Sequence, residues 1–222
     1  MSKHKIDFSL RGVPVVSQFV ARDAEMQALK KALIKPPPTI SRRNVVVVYG
    51  LGGIGKTQLV VEFARKYYGR FSAVFWLDGS SEASLKQSFV DMAKTIPRSE
   101  LTADGVQMLS QATVEADVAV RECQQWLSLP SNSQWLLIID NVDRDHRDRD
   151  DAQAYDVKSY FPDADHGSVL ITSRLASLQR LGSGVKVGAV AADQARAILE
   201  NNAGKTTKGM RKALSTEKRH HS

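Results

Sequence analysis

The chain has 222 residues, 42% of them hydrophobic and 25% charged, a composition that suits one large or two small globular domains and excludes disorder as the main state. Its formal charge of +7 sits at the ends: residues 1–12 carry a net +2, residues 204–222 a net +5, and residues 13–203 balance 22 basic against 22 acidic side chains, which argues against a nucleic-acid groove in the core. A single cysteine, Cys123, excludes an internal disulfide framework, and the lack of a signal peptide or of an apolar run long enough for a bilayer points to a cytoplasmic protein without membrane contact.

In chain order, residues 1–14 read as a flexible leader. Asp23–Leu33 (DAEMQALKKAL) then reads as an amphipathic helix that Pro36–Pro38 must stop, because three prolines cannot continue the hydrogen-bond ladder. Residues 44–49 (NVVVVY) form a β-branched run ending at glycine, and 72–77 (SAVFWL), 134–139 (QWLLII) and 168–173 (SVLITS) are similar. Short runs that are apolar throughout, rather than alternating, are what strands buried on both faces of a parallel sheet look like. Residues 185–187 predict a fifth strand. Helical spacing of apolar residues over 56–69, 82–95 and 112–128 alternates with these strands, and a further helix is expected over 192–200. The pattern predicts a doubly wound α/β fold, a three-layer α/β/α domain with a mainly parallel five-stranded sheet spanning residues 15–203. Residues 204–222, polar and basic, read as a flexible tail.

The strongest motif is Gly50-Leu51-Gly52-Gly53-Ile54-Gly55-Lys56-Thr57, two glycines five apart followed by lysine and threonine, placed directly after a predicted strand and at the start of a predicted helix. Backbone N–H groups of Gly50, Gly52, Gly53, Ile54 and Gly55, with the helix start through Gln58, can converge there on a phosphate. Lys56 is expected between the β- and γ-phosphates, and the Thr57 hydroxyl on Mg²⁺. Asp140, which follows the apolar run Trp135–Ile139, supplies a carboxylate at the C-terminal end of another parallel strand and is the expected partner of Thr57 on Mg²⁺. The next residue is Asn141, where active ATPases of this broad class usually carry a carboxylate. An amide orients water but cannot accept its proton, so hydrolysis is expected to be slow or absent unless Asp143 substitutes. Thr172, Ser173 and Arg174 end the following strand and face the same crevice, where the hydroxyls can sense a γ-phosphate by hydrogen bonding and Arg174 can contribute charge.

Residues 143–151 (DRDHRDRDD) hold five carboxylates and three arginines; alternating charge of this kind reads as a self-neutralising loop rather than a metal cluster. His166 reads as a loop histidine and Cys123 as a small buried side chain.

Taken together these blocks resemble the nucleotide-binding (NB-ARC) domain of the STAND class of P-loop NTPases, found in NLR-type immune receptors and regulators of programmed cell death. Residues 19–25 (FVARDAE) are similar to the leader motif of that family, Gly50–Thr57 to its Walker A motif, 135–143 to its Walker B block, 167–174 to the block ending in its sensor arginine, and 75–78 (FWLD) to its second-strand motif. Two positions depart from the pattern: Ala21 stands where glycine is usual, and Asn141 where an acidic residue is common. The resemblance implies adenine contacts from Phe19 and Val20, Arg22 near the nucleotide, and sensing of nucleotide state by Arg174. It also implies an ADP/ATP-binding switch in innate-immune signal transduction that self-associates in the ATP state and works with helical, winged-helix and repeat domains that this chain lacks. The competing readings are an active AAA-type ATPase, acting for instance on nucleic acid, and a nucleotide-independent interaction module.

Overall fold

A computed structural model of the chain describes residues 6, 22–34 and 42–189. Within them the strands are β1 (Asn44–Tyr49), β2 (Ala73–Asp78), β3 (Trp135–Asp140), β4 (Ser168–Ser173) and β5 (Ser183–Lys186). The helices are α1 (Asp23–Leu33), α2 (Lys56–Tyr67), α3 (Glu82–Ala93), α4 (Ala103–Met108) and α5 (Ala116–Leu127). All strand pairs are parallel, in the order β2-β3-β4-β1-β5, so the fold is the expected three-layer α/β arrangement.

Side chains alternate along each strand, which sorts the core into two layers. On one face Phe75, Leu77, Leu137, Ile139, Val169 and Ile171 pack against α3 and α5; on the other Val46, Val48, Leu136, Ile138 and Leu170 pack against α1 and α2 through Met26, Leu29, Leu59, Val60 and Phe63. Strands β3 and β4 are buried at every position. That double burial is why residues 135–139 and 169–171 are apolar without alternation.

Four details differ from the sequence expectation. Strands β2 and β3 run one residue further than their apolar runs, because Asp78 and Asp140 pair with each other in the ladder. The fifth strand begins at Ser183, with Gly184 admitting the side chain of Gln179 where a Cβ would collide with it. Helix α5 starts at Ala116 rather than 112. The short helix α4 was not expected, since ADGVQM has no apolar period; it forms because the Thr102 side chain caps Gly105 N–H at 3.1 Å while Glu122 of α5 accepts from Thr102. The helix expected over 192–200, the leader and the basic tail lie outside the described residues. No helix among the described residues is long and apolar enough to cross a membrane.

Leu137 is fully buried in the middle of the sheet. Leu137→Ala is expected to cost about 2–5 kcal/mol of unfolding free energy by urea denaturation, with little change in the slope against denaturant.

Candidate functional site

Parallel strands all end on one edge, and here that edge gathers the polar residues. The β1 exit is the phosphate loop. Gly50, at φ 155°, sits against the extension of β5 so tightly that a Cβ would come within 2.4 Å of the Val187 carbonyl oxygen. Gly55, at φ 97°, occupies the left-handed region immediately before α2, a conformation that favours glycine and turns the N–H groups of the first helical turn toward the crevice.

Lys56 opens α2 and is 8% exposed. Its Nζ donates to the loop's own carbonyls, to Gly50 O at 3.0 Å and Leu51 O at 2.9 Å. Burial lowers its pKa; Asp143 and Asp140 oppose this, while Arg174 adds to it. The ammonium is thus held at the mouth of the loop, where an added phosphate would meet it.

Asp140 is 6% exposed and shared by two hydroxyls. Thr57 donates to its Oδ1 at 3.0 Å and Oδ2 at 3.2 Å, and Thr172 of β4 donates to Oδ1 at 2.5 Å. Burial raises the Asp140 pKa, the Thr172 and Thr57 bonds counteract it, Asp78 raises it further and Lys56 lowers it. A hydroxyl and a carboxylate on adjoining element ends form the all-oxygen set that a hard divalent cation takes, so Thr57 and Asp140 fit magnesium.

Thr172 is fully buried and Ser173 likewise, which corrects the expectation that their hydroxyls face the phosphate. Thr172 also accepts from Asn141 N–H at 2.9 Å, and Ser173 donates to the Val142 carbonyl oxygen at 2.5 Å. Both therefore shape the β3 exit. Asn141 leaves that exit at φ 64°, a left-handed conformation that asparagine tolerates better than most residues.

Arg174 folds back over the phosphate loop. Its guanidinium lies 3.4 Å from where a Cβ on Gly52 would stand, and its Nε pairs with Asp143 Oδ2 at 2.8 Å. Its backbone N–H donates to Asp143 Oδ1 at 2.7 Å, so both Asp143 oxygens are taken. Arg22 reaches the loop from the opposite side, donating to Ile54 O at 2.7 Å and to Gly188 O at 2.9 Å. This ties the start of α1 to the phosphate loop. Phe19 and Val20 lie outside the described residues.

Beside Arg174, an open depression of about 750 Å³ runs past Asn141 and Asp143 to Ser80 at the exit of β2. Arg144, Asp148, Asp150 and Asp151 of the acidic loop form its rim, with Arg144 Nη1 on Asp151 at 2.8 Å; away from it, Arg180 is bidentate on Asp145 at 2.7 Å to each oxygen. No group of three or more His, Cys, Asp or Glu placed to hold a metal ion occurs among the described residues. Cys123 is buried with its thiol pKa pushed up, by burial first and by the Glu122 charge second. His166 Nε2 meets the Leu127 carbonyl at 3.0 Å.

The structure brings Lys56, Thr57, Asp140 and Arg174, all named from the sequence, to one crevice, whereas sequence reasoning left other residues there unread. It missed Thr172 as the residue that holds Asp140, and Asp78 as that residue's neighbour across the ladder. The signal for Asp78 was present: FWLD ends in a carboxylate just as LIID does.

A glycine loop between a buried parallel strand and a helix, with Lys56 at its mouth and a Thr57–Asp140 pair beside it, defines a P-loop NTPase. The chain belongs to the AAA_16 family of AAA ATPase domains, whose model matches residues 18–187. It is 25% identical over 181 residues to a "nucleotide-binding leucine-rich repeat (NLR)-like protein" of Hyaloscypha variabilis, an overlap of 76% of this chain and 17% of that protein. The chain therefore spans about one sixth of the length of that relative. Its fold is similar to the crystal structure of Cdc6p from Pyrobaculum aerophilum, with a TM-score of 0.54 at 12% identity, covering 89% of this chain and 52% of that one.

Because burial makes the folded chain hold the Asp140 proton more tightly than the unfolded chain does, the folded state binds more protons above a pH of about 4. The stability this group contributes is present below that pH and is lost as pH rises through the raised folded value. In buffer without nucleotide or divalent cation, Asp140→Asn should flatten the fall in thermal midpoint between about pH 4 and 7 and raise the midpoint at pH 7. The check is a thermal-denaturation series against pH; parallel curves for the two proteins would contradict it.

Proposed function

We propose that this domain is an ADP/ATP-binding switch of an NLR-like STAND protein, an NB-ARC-type unit spanning residues 15–203, with slow intrinsic hydrolysis. The observation that carries this reading is the pairing of an intact phosphate-binding apparatus with a neutral residue, Asn141, directly after Asp140. Binding and chemistry are thereby separated: the groups that hold phosphate are present, while the usual water-polarising position bears an amide.

The geometry supports the following roles at the phosphate end of the site. The amides of Gly53, Gly55, Lys56 and Thr57 receive the β-phosphate, aided by the positive end of α2. Lys56 exchanges its bonds to Gly50 O and Leu51 O for phosphate oxygens. Thr57 and Asp140 would hold magnesium, which supplies charge neutralisation to the β- and γ-phosphates. Thr172, inaccessible to ligand, keeps the Asp140 carboxylate aimed at Thr57. Arg174, 66% exposed in its side chain and paired with Asp143, is free enough to leave Asp143 for a γ-phosphate; that exchange distinguishes ATP from ADP. Ion pairs at such exposure are worth at most about 1 kcal/mol, so the exchange is readily reversible. The resemblance to NB-ARC domains assigns Phe19 and Val20 to the adenine and Arg22 near the nucleotide, with Gln58 on the first turn of α2.

Support also comes from the NLR-like relative, whose name includes nucleotide binding. A role in innate-immune signal transduction and programmed cell death, self-association in the ATP state, and partnership with helical, winged-helix and repeat domains belong to the same proposal, as does a cytoplasmic location. Membership of the AAA ATPase domain family favours a second reading, an ATPase with steady turnover, and rate separates the two.

The purified chain is expected to release ADP on denaturation and to turn over less than about once per minute, against about 1–1000 per second for ordinary enzymes. Lys56→Ala should weaken binding at least about tenfold in a fluorescent-nucleotide titration, which corresponds to about 1.4 kcal/mol. Rapid turnover by the parent chain would favour the ATPase reading, and equal affinity in Lys56→Ala would contradict the phosphate-loop assignment.

A further inference from the structure

Three consecutive peptide planes at the end of the phosphate loop are each held by a different bond. Ile54 N–H donates to Leu51 O at 3.4 Å, which restrains the plane between residues 53 and 54, and Leu59 N–H donates to Gly55 O at 3.0 Å, which restrains the plane between 55 and 56. The plane between these two joins the Ile54 carbonyl to the Gly55 N–H, and a side chain holds it: Arg22 Nη2 donates to Ile54 O at 2.7 Å. A flip of that plane changes ψ of Ile54 and φ of Gly55 together. Gly55, at φ 97°, is a residue for which either sign of φ costs little, so the backbone alone resists the flip weakly. A trans peptide points its C=O and N–H in opposite directions. An anchor on the Ile54 carbonyl therefore turns the Gly55 N–H away from Arg22.

The seat of Arg22 is itself well fixed. Its side chain is 9% exposed, and its Nη1 donates to Gly188 O at 2.9 Å and meets Glu25 Oε1 at 3.3 Å. Val187 N–H donates to Tyr49 O at 2.8 Å, so the acceptor at Gly188 is tied to the end of β1, from which the loop departs. Glu25, on the first turn of α1, supplies the third point. A guanidinium carries its donors in one rigid plane. With Gly188 and Glu25 taken by one nitrogen, the direction in which the other holds Ile54 O is set. The group stands directly behind Gly55, with Nη2 3.8 Å and Nε 3.9 Å from where a Cβ would sit.

We infer that Arg22 is a positioning residue for the β-phosphate: by holding the Ile54 carbonyl it presets the Gly55 N–H to donate to that phosphate, without touching the nucleotide itself. The inference rests on nucleotide binding at the phosphate loop. Arg22 acts from behind the loop, with its charge shared among Ile54 O, Gly188 O and Glu25. Its contribution is therefore made through one amide, and it reaches only ligands that carry a β-phosphate. A contact to the adenine or ribose would instead act on every adenine nucleotide alike. Preorganisation of this kind strengthens binding because the donor is already aimed when the anion arrives.

The test uses the full chain as parent, Arg22→Ala and Arg22→Lys. ADP and AMP are each competed against a fluorescent ADP analogue, and the Gly55 amide resonance of glycine-labelled protein is followed as ADP is added. In the parent, ADP should move the Gly55 amide proton downfield, the mark of a new hydrogen bond to phosphate. Arg22→Ala should lose about tenfold in ADP affinity, the scale of one charge-assisted hydrogen bond, and keep AMP affinity within about twofold. It should also lose the downfield movement at Gly55. Arg22→Lys, which keeps a donor for one carbonyl, should recover part of both, and it decides the matter if Arg22→Ala does not fold. Equal losses for ADP and AMP would overturn the inference, making Arg22 a contact to base or ribose or a general support of the fold. A Gly55 amide that moves in both variants as it does in the parent would overturn it too. Parental ADP affinity in Arg22→Ala refutes this inference alone, whereas a parent that binds no ADP refutes the nucleotide site itself.

Discussion

A carboxylate buried at the end of a central strand must be partnered, and the partnering of Asp140 organises the crevice. With 6% exposure it sits in surroundings that penalise its charge, and it is held by Thr57 from α2 and Thr172 from β4. Those two bonds fix three element ends relative to one another. Thr172 then passes the constraint on, accepting from Asn141 N–H and setting the left-handed exit of β3. The placement of Asp143 opposite Arg174 follows from that exit. The β3–β4 connection is therefore as much a part of the site as the phosphate loop.

Charge in the crevice is arranged around exchangeable pairs. Lys56 rests on loop carbonyls and Arg174 on Asp143, each in a contact that phosphate oxygens can replace. Lys56 is buried and costly to leave unpaired, so it stays at the loop. Arg174 is exposed and its pair is weak, so it can move. That difference suits a phosphate anchor beside a mobile sensor. The net +7 that first suggests a polyanion as partner resides outside the described core residues, and the local positive groups at Lys56, Arg174 and the start of α2 suit a much smaller anion.

The layers and the loop were legible in the sequence because they depend on local pattern: β1 over 45–48 and β3 over 135–139 are apolar without alternation, and Gly50–Thr57 lies at a strand–helix junction. Helix α4 was not, since it depends on a Thr102 cap secured from α5. The role of Thr172 was hidden for a different reason. Its hydroxyl reads as available to ligand until β4 is known to lie between β1 and β3, an ordering set by pairing between distant segments. Asp78 was hidden in the same way: its nearness to Asp140 is a matter of register, which sequence spacing does not express. The polar and charged character of each residue could be read directly, whereas its partner could not.

The central claim is that nucleotide binds by rearranging the Lys56, Thr57–Asp140 and Arg174–Asp143 contacts at one sheet edge. Amide hydrogen exchange of the full chain, with and without Mg²⁺ and ADP, tests this most directly. The account predicts slower exchange concentrated in residues 50–59 and 140–143, with a smaller change at 172–175, and little change in α3, α4 or α5. Unchanged exchange at the phosphate loop under saturating nucleotide, or protection confined to the α3–α5 layer, would contradict it.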